Sequence, residues 1–115
     1  MRVRDKFREP PWGREEILWE GPAVTCKILT VHAGHRFSLQ SHRLRSERWH
    51  VLGGEGAVEI GASVAAARPG LHFEVPAGAK HRLRATTADL HVLEIALGEF
   101  DQDDIIRYED DYGRV

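Results

Sequence analysis

Short apolar bursts, separated by glycine and proline, recur along most of this chain. Within each burst apolar and polar side chains alternate, which is typical of β-strands with one buried face. Nine such bursts predict strands, at Ile17–Trp19, Val24–Val31, Phe37–Arg43, Glu47–Leu52, Ala57–Ile60, Ser63–Ala67, Leu71–Val75, His81–Thr86 and Leu90–Leu97. Turn residues such as Gly53-Gly54 and Pro76-Ala77-Gly78 fit the reversals between them. So many short strands in 115 residues predict one all-β domain, a sandwich or barrel.

The two ends of the chain differ from this pattern. Residues 1–14 combine mixed charge with Pro10, Pro11 and Gly13, which favours an extended arm with Trp12 as its anchor. The expected barrel covers residues 15–100, and a tail follows over residues 101–115. Within the tail, Asp103–Tyr108 is the one segment for which we predict a short helical turn.

Composition excludes several classes of function. The chain has 16 Lys plus Arg and 18 Asp plus Glu, so its net charge of -2 predicts neither nucleic acid nor membrane partners. The single cysteine, Cys26, lies in an apolar run and is expected to be a buried, inert thiol. No signal-type or membrane-spanning apolar run is present. A cytoplasmic location is the expectation.

Two blocks of the sequence contain residues that can carry chemistry. The first runs from Gly34 through His42 and Glu47 to Gly54, and the second places His81 directly after the Pro76–Gly78 turn. Strand alternation predicts that Gln40, His42 and Leu44 share one face, while Leu39, Ser41 and Arg43 point to the other. Polarity alone leaves open which face points inward.

These blocks resemble the two motifs of the cupin superfamily, and further segments resemble type II phosphomannose isomerases within it. The resemblance is carried by Trp12-Gly13, Leu29–Val31, Ser38–Gln40, Arg45 with Glu47 and Trp49, Pro76–Arg82, and the tail Gly98–Phe100 with Asp103–Arg114. It implies a single cupin domain over residues 1–115, a double-stranded β-helix or jelly-roll-like barrel. The resemblance does not include the guanylyltransferase domain that usually precedes this cupin, so GTP is not expected as a ligand.

The resemblance implies a divalent metal ion, zinc or another transition metal, held by His42, Glu47 and His81. One family ligand is missing, because Leu44 stands where a second histidine is expected. Gln40 is a further ligand candidate, as are His50 and His91, although neither histidine occupies a motif position. The alternative is that these histidines are ordinary hydrogen-bonded residues of the barrel and bind no metal. Glu47 can equally pair with a neighbouring arginine.

The substrate-binding residues implied by the resemblance are Gln40, Arg45, Trp49, Lys80 and Arg82. The cationic members are expected to hold a sugar phosphate through charge-assisted hydrogen bonds. The remaining arginines of this region, Arg43, Arg48 and Arg84, are better explained as a solvated strand face, and His32, His35 and His72 as surface residues.

The resemblance implies an aldose-ketose isomerase that interconverts mannose 6-phosphate and fructose 6-phosphate, with no catalytic base identifiable in the sequence. The loss of a ligand histidine favours an alternative, a non-catalytic cupin that binds a sugar or sugar phosphate. Two histidines and one carboxylate also suit a small non-haem metal oxygenase. Barrels of this size protect their edge strands by pairing, so a homodimer is expected.

Overall fold

Residues 6–115 are described by a computed structural model, and they form eleven β-strands in two antiparallel sheets. The strands are β1 (Phe7–Arg8), β2 (Gly13–Glu20), β3 (Val24–Val31), β4 (Leu39–Ser41), β5 (Arg45–Gly53), β6 (Gly56–Ile60), β7 (Ser63–Ala67), β8 (His72–Val75), β9 (His81–Ala85), β10 (Leu90–Gly98) and β11 (Ile106–Glu109). One sheet has the order β1-β2-β3-β10-β5-β8, and the other has the order β11-β4-β9-β6-β7. The chain passes repeatedly between the sheets, so they form two layers of one barrel.

Strand alternation determines what lies between the layers. The longest central strand, β10, pairs with β3 on one side and β5 on the other, and its Leu90, Val92 and Ala96 are buried. The outward residues of the same strand are only half-buried. All nine bursts predicted from the sequence fall on strands β2 to β10, so the predicted all-β barrel is confirmed.

An aromatic cluster fills the centre of the barrel. The rings of Trp12 and Phe37 lie 5.2 Å apart, and the ring of Phe37 meets that of Trp49 edge-on at 6.2 Å. Full burial of a large apolar side chain stabilises a fold by about 1.5–3 kcal/mol. Trp12 therefore anchors the arm as predicted, and β1 pairs with β2 beside it. Residues 1–5 of the predicted arm lie outside the described residues.

The C-terminal tail contradicts the sequence prediction. Its predicted helical turn at Asp103–Tyr108 is replaced by β11, which pairs with β4. The carboxylate of Asp104 also accepts hydrogen bonds of 2.9 Å from the backbone N–H groups of Arg43 and Leu44. Pairing with a free sheet edge thus outweighs a weak local helix preference. No helix long and apolar enough to cross a membrane occurs in the described part of the chain.

Cys26 is another departure from the sequence analysis. Its thiol is half-buried, whereas the prediction was a buried one. The reason is the register of β3, which turns Thr25, Lys27 and Leu29 inward and Cys26 outward. Lys27 is therefore buried in the barrel, although the apolar run had suggested that the neighbouring Cys26 would be.

Gly54 offers a test of how closely the loops approach the strands. It has φ +88°, and a Cβ there would collide with the backbone carbonyl of Asp89, whereas Gly61 (φ +58°) has open space around it. We expect Gly54→Ala to lower the free energy of unfolding by about 3 kcal/mol, since a steric clash adds to left-handed strain. Gly61→Ala should cost only about 1 kcal/mol. Urea unfolding measures both, and equal losses would contradict the assigned packing.

Candidate functional site

Two histidines and a glutamate from three different segments meet inside the barrel. His42 follows β4, Glu47 lies on β5, and His81 begins β9. One ligand atom from each of these residues lies within 4.8 Å of the other two. Their exposed fractions are 3%, 2% and 1%, so water contributes little to solvating this group.

Backbone hydrogen bonds bring the two histidine segments together. Gly78, in a left-handed conformation (φ +84°), donates its N–H to the carbonyl of His42 at 2.7 Å. Ala79 closes the same turn by donating to the carbonyl of Pro76 at 3.1 Å. Directly after this turn, His81 pairs with Gln40 across β4 and β9. The Pro-Ala-Gly turn therefore fixes where the second histidine enters the barrel.

The tautomers of both histidines follow from their partners. Nδ1 of His42 lies 2.7 Å from the carbonyl oxygen of Asp104, and Nδ1 of His81 lies 2.9 Å from that of Ala79. A carbonyl only accepts, so each Nδ1 must carry the proton. The two Nε2 atoms face Glu47, at 3.6 Å for His42 and 3.3 Å for His81. A backbone partner of this kind is typical of metal-binding histidines.

His42, Glu47 and His81 form a triad. Two of its buried polar atoms, Oε1 of Glu47 and Nε2 of His81, have no hydrogen-bond partner in the described part of the chain. In their deprotonated forms both are acceptors, so a proton or a metal ion must lie between them. Two ligands that bind one zinc ion tetrahedrally at about 2.1 Å stand about 3.4 Å apart. The separations of 3.6 Å from His42 to Oε2 of Glu47 and 3.3 Å from His81 to Oε1 are close to this value, and all three ligand atoms lie within 4.8 Å of one another, so the residues suit a divalent metal.

Arg45 competes for the same lone pairs. Its Nη2 lies 3.1 Å from Nε2 of His42, and its Nε donates to Oε2 of Glu47 at 3.2 Å. The ring of Phe100 covers the guanidinium, with its centroid 4.5 Å from the central carbon. A buried carboxylate requires a cationic partner. The arginine satisfies this requirement, and metal uptake therefore requires it to withdraw.

Beside the triad lies a cavity of about 210 Å³. The arm and the tail form part of its wall, and the Gln102 side-chain amide lies against the Arg8 guanidinium between them. Drug-sized ligands usually occupy roughly 300–1,000 Å³, so this space suits a smaller molecule. Its wall is rich in charge, with Glu15, Lys27, Arg45, Glu94, Arg107 and Arg114 among the lining residues.

Comparison with known proteins identifies the relatives of a chain with this site. The family described as mannose-6-phosphate isomerase C-terminal matches residues 3–110. The chain belongs to this family. A mannose-1-phosphate guanylyltransferase of Klebsiella pneumoniae is 36% identical over 115 residues, which are 98% of this chain and 24% of that protein. The xanthan biosynthesis protein XanB of Xanthomonas campestris pv. campestris is 35% identical over 107 residues, 91% of this chain and 23% of XanB.

Solved structures agree on the fold of this isomerase-family domain. A cupin-2 domain from Rhodospirillum rubrum has a TM-score of 0.71 at 22% identity, covering 89% of this chain and 68% of that one. The capsular polysaccharide assembling protein CapF of Staphylococcus aureus has a TM-score of 0.76 at 14% identity, covering 90% and 34%. The barrel thus has the cupin fold. The chain spans about a quarter of the length of the guanylyltransferase-type relatives it matches.

The structure separates the expected substrate-binding residues of this family domain into two groups. Gln40 and Arg45 line the cavity, and Trp49 is fully buried behind His81, with its ring centroid 5.4 Å from the imidazole. Lys80 and Arg82 do not line this cavity, so the expectation that they contact the ligand stays a prediction.

Strand alternation explains why Lys80 and Arg82 lie outside the cavity. His81 points inward, so the residues on both sides of it must point outward. Lys80 is exposed, with its amine 4.2 Å above the ring of Tyr108. Arg82 is buried beneath the tail, where it donates to Glu109 at 3.0 Å and to the carbonyl of Phe37 at 2.8 Å. Arg82 therefore fastens β11 to the barrel.

The residues proposed to replace the missing histidine ligand also separate. His50 stacks on His72 across β5 and β8, and His91 is bonded to Thr30 at 3.0 Å. Neither lines the cavity. Gln40 alone of the three candidates is close, with Nε2 3.4 Å from Nε2 of His42.

The predicted common face of Gln40, His42 and Leu44 holds for only the first two. Strand β4 ends at Ser41, and Leu44 is 39% exposed. The backbone bends after His42 because Asp104 binds the following N–H groups. Leu44 thus does not occupy the place in the site that its sequence position suggested.

Sequence reasoning missed Glu94 and Lys27, which the barrel turns inward. Glu94 accepts a hydrogen bond of 3.2 Å from Nε1 of Trp49, and Lys27 donates to Glu15 at 3.0 Å. Both are charged residues in the inward register of an otherwise apolar alternating strand. A charged residue in an alternating apolar strand is visible in the sequence. It indicates a buried charge only once the inward face of that strand is known.

Burial and mutual charge set the protonation of the site. Burial lowers the pKa of His42 from 6.5 to about 4, and the charge of Glu47 offsets part of this shift. Burial would raise the pKa of Glu47, but hydrogen bonding and charge from His81 outweigh it and lower that pKa below its usual range. His42 is therefore neutral at pH 7, as a metal ligand must be.

Glu94 behaves in the opposite way. Burial and then the charge of Glu47 raise the pKa of Glu94 well above its usual value. In the unfolded chain Glu94 ionises above about pH 4.3, while the folded state keeps its proton. The fold therefore loses stability as pH rises from the unfolded pKa toward the folded pKa.

Replacing this carboxyl group with an amide tests its protonation. Glu94→Gln should be more stable than the wild type, by a margin that grows as pH rises from about 4.3. Chemical unfolding at pH 4 and pH 8, with chelator present, measures the difference. Glu20→Gln, at the exposed end of β2, is the control and should show no such trend. A margin for Glu94→Gln that does not change with pH would contradict the assignment.

Proposed function

We propose that this domain binds a phosphorylated sugar beside a divalent metal ion and interconverts mannose 6-phosphate and fructose 6-phosphate. The observation that carries the proposal is the orientation of two imidazoles, those of His42 and His81, which both turn their Nε2 atoms toward Glu47. Membership in the mannose-6-phosphate isomerase C-terminal family supports the substrate class. The small, charged cavity next to the triad supports a compact polar ligand.

The three triad residues would hold the metal, and the other cavity residues would handle the sugar. When bound, a divalent ion polarises a sugar carbonyl and acidifies the neighbouring C–H bond. Gln40 offers an amide to a sugar hydroxyl group from the same wall of the cavity. An isomerase must also move a proton between adjacent carbons. The cavity carboxyls outside the triad, Glu15 and Glu94, are the groups to which we assign that transfer.

A second candidate function is a cupin that binds the sugar phosphate without catalysis. Two observations favour it, namely the loss of the second histidine at Leu44 and the contact of the Arg45 guanidinium with both His42 and Glu47. An arginine in this place can satisfy Glu47 without any metal. The homodimer and the cytoplasmic location expected from the sequence stay predictions.

Metal analysis combined with an isomerase assay distinguishes these functions. The protein, purified without added metal, should contain zinc or another divalent ion near stoichiometry and should turn over mannose 6-phosphate. His81→Ala should lose metal and at least 100-fold in turnover, because it removes one of three ligands. His91→Ala, on the outer side of the barrel, is the control and should behave as the wild type.

Other results of these two measurements would support a different function or reject the metal site. Sugar-phosphate binding with neither metal nor turnover would support the non-catalytic cupin. Iron together with oxygen consumption would support a non-haem oxygenase instead. Unchanged metal content in His81→Ala would reject the triad as the metal site.

The competition between arginine and metal gives a separate prediction. Arg45→Gln should bind zinc about 10-fold more tightly than the wild type, because it frees lone pairs of His42 and Glu47. Isothermal titration with zinc measures the dissociation constants. The matched control is Arg48→Gln, whose wild-type guanidinium contacts Glu74 on the outer face at 3.6 Å. Unchanged or weaker zinc binding by Arg45→Gln would show that the arginine assists the ion.

A further inference from the structure

We infer that Arg107, in the C-terminal strand β11, binds the phosphate group of the sugar phosphate. The inference rests on the proposed function for the class of sugar, but it concerns a separate part of the cavity. It assigns phosphate binding to a residue of the tail and not to Lys80 and Arg82, which face away from the cavity.

The register of β11 turns Arg107 toward the cavity. Arg107 lies opposite Gln40 in the β4–β11 ladder, and residues directly opposite share a face of the sheet. Gln40 itself lines the cavity and reaches His42. The next residue, Tyr108, lies on the other face, where its hydroxyl group contacts that of Ser41 at 2.8 Å. Alternation along β11 therefore places the Arg107 side chain inside.

The charge of Arg107 is not satisfied within residues 6–115. Its Nε is buried and has no hydrogen-bond partner there, and no ion pair joins it to another of these residues. Buried donors are normally paired, and leaving one unpaired is unfavourable, all the more so when it belongs to a charged group. An anionic ligand would supply the missing acceptor.

The other cations of the cavity already have partners. Lys27 binds Glu15 at 3.0 Å, and Arg45 binds Glu47 at 3.2 Å. Arg114 binds both carboxylate oxygens of Asp110 at 2.9 Å. Arg8, which also lines the cavity, contacts the side-chain amide of Gln102. Of these lining cations Arg107 is the one with a buried donor that has no partner within residues 6–115, so it is the best placed to receive an anion from outside the chain.

Arg107 and the triad lie on the same wall of the cavity, separated by Gln40. Gln40 is next to His42 in its own segment and opposite Arg107 across the ladder. Facing Cβ atoms in such pairs are about 4.5–5.5 Å apart. A ligand with its carbonyl end at the triad and its anionic end at Arg107 would span this wall. Arginine suits a phosphate especially well, because its planar fork can donate two parallel hydrogen bonds.

Binding measurements with variants of the full chain test this assignment. The wild type should bind mannose 6-phosphate more tightly than mannose, and it should bind inorganic phosphate weakly. Arg107→Gln should weaken mannose 6-phosphate binding by about 10- to 100-fold, the range expected for a lost hydrogen bond to a charged group. Binding of mannose and of zinc should stay unchanged, which would show that the barrel and the triad are intact.

Two further variants complete the test. Arg107→Lys keeps the charge and should restore part of the affinity for mannose 6-phosphate. Lys80→Gln removes a family-matched cation outside the cavity and should bind like the wild type. Full affinity in Arg107→Gln, or a loss confined to Lys80→Gln, would overturn the inference.

The outcomes also separate this inference from the proposed function. Phosphate binding that depends on Arg107 in a protein without isomerase turnover would support the inference while the proposed reaction fails. Turnover with undiminished phosphate affinity in Arg107→Gln would support the reaction and reject the inference. Absence of binding to both inorganic phosphate and mannose 6-phosphate in the wild type would reject the phosphate site as well.

Discussion

Burial of charge inside a closed sheet is the constraint on which this structure depends. Ionisable side chains that leave water lose free energy unless a partner of opposite sign or a hydrogen bond replaces their hydration. The barrel meets this requirement with pairs: Glu47 with Arg45 and the histidines, Lys27 with Glu15, and a protonated Glu94 with Trp49. The carboxyl, lysine and arginine side chains of these pairs line one cavity, and Trp12 and Phe37 of the aromatic cluster belong to the apolar part of its wall. This cavity is therefore the only part of this interior, over residues 6–115, that is chemically equipped for a ligand.

The sequence predicted the barrel strands well, because apolar alternation and glycine-proline turns are local signals. Strand β3, for example, has the bounds that its alternating run from Val24 to Val31 predicted. The short strand β11 was missed because it exists through pairing with the distant β4, which no local pattern records. The triad residues could be chosen because resemblance supplied their positions. Lys80 and Arg82 match motif positions but lie outside the cavity wall, because the residues that flank the inward-facing His81 point outward.

Arg45 shows how one residue can give the same pocket two states. With the guanidinium against His42 and Glu47, the buried carboxylate is neutralised by the chain itself. With a divalent ion at the triad, the arginine would have to release these atoms and keep only its contact with Phe100. A fourth protein ligand would shift the balance toward the ion, and the bend that leaves Leu44 exposed removes that help. Whether the triad holds a metal therefore depends on a small difference in free energy between the Arg45 guanidinium and a divalent ion as partners of His42 and Glu47.

Asp104 has an effect that extends beyond its own segment. Its backbone carbonyl holds the His42 imidazole, and its carboxylate holds the two peptide groups that follow this histidine. Three hydrogen bonds to a residue 62 positions away thus orient the imidazole of His42. Proteolytic clipping between Phe100 and Asp104 would leave the barrel strands β2 to β10 continuous, yet it would free the imidazole to rotate. The tail thus serves as an outer support of the ligand triad, and its attachment to the barrel determines how His42 is oriented.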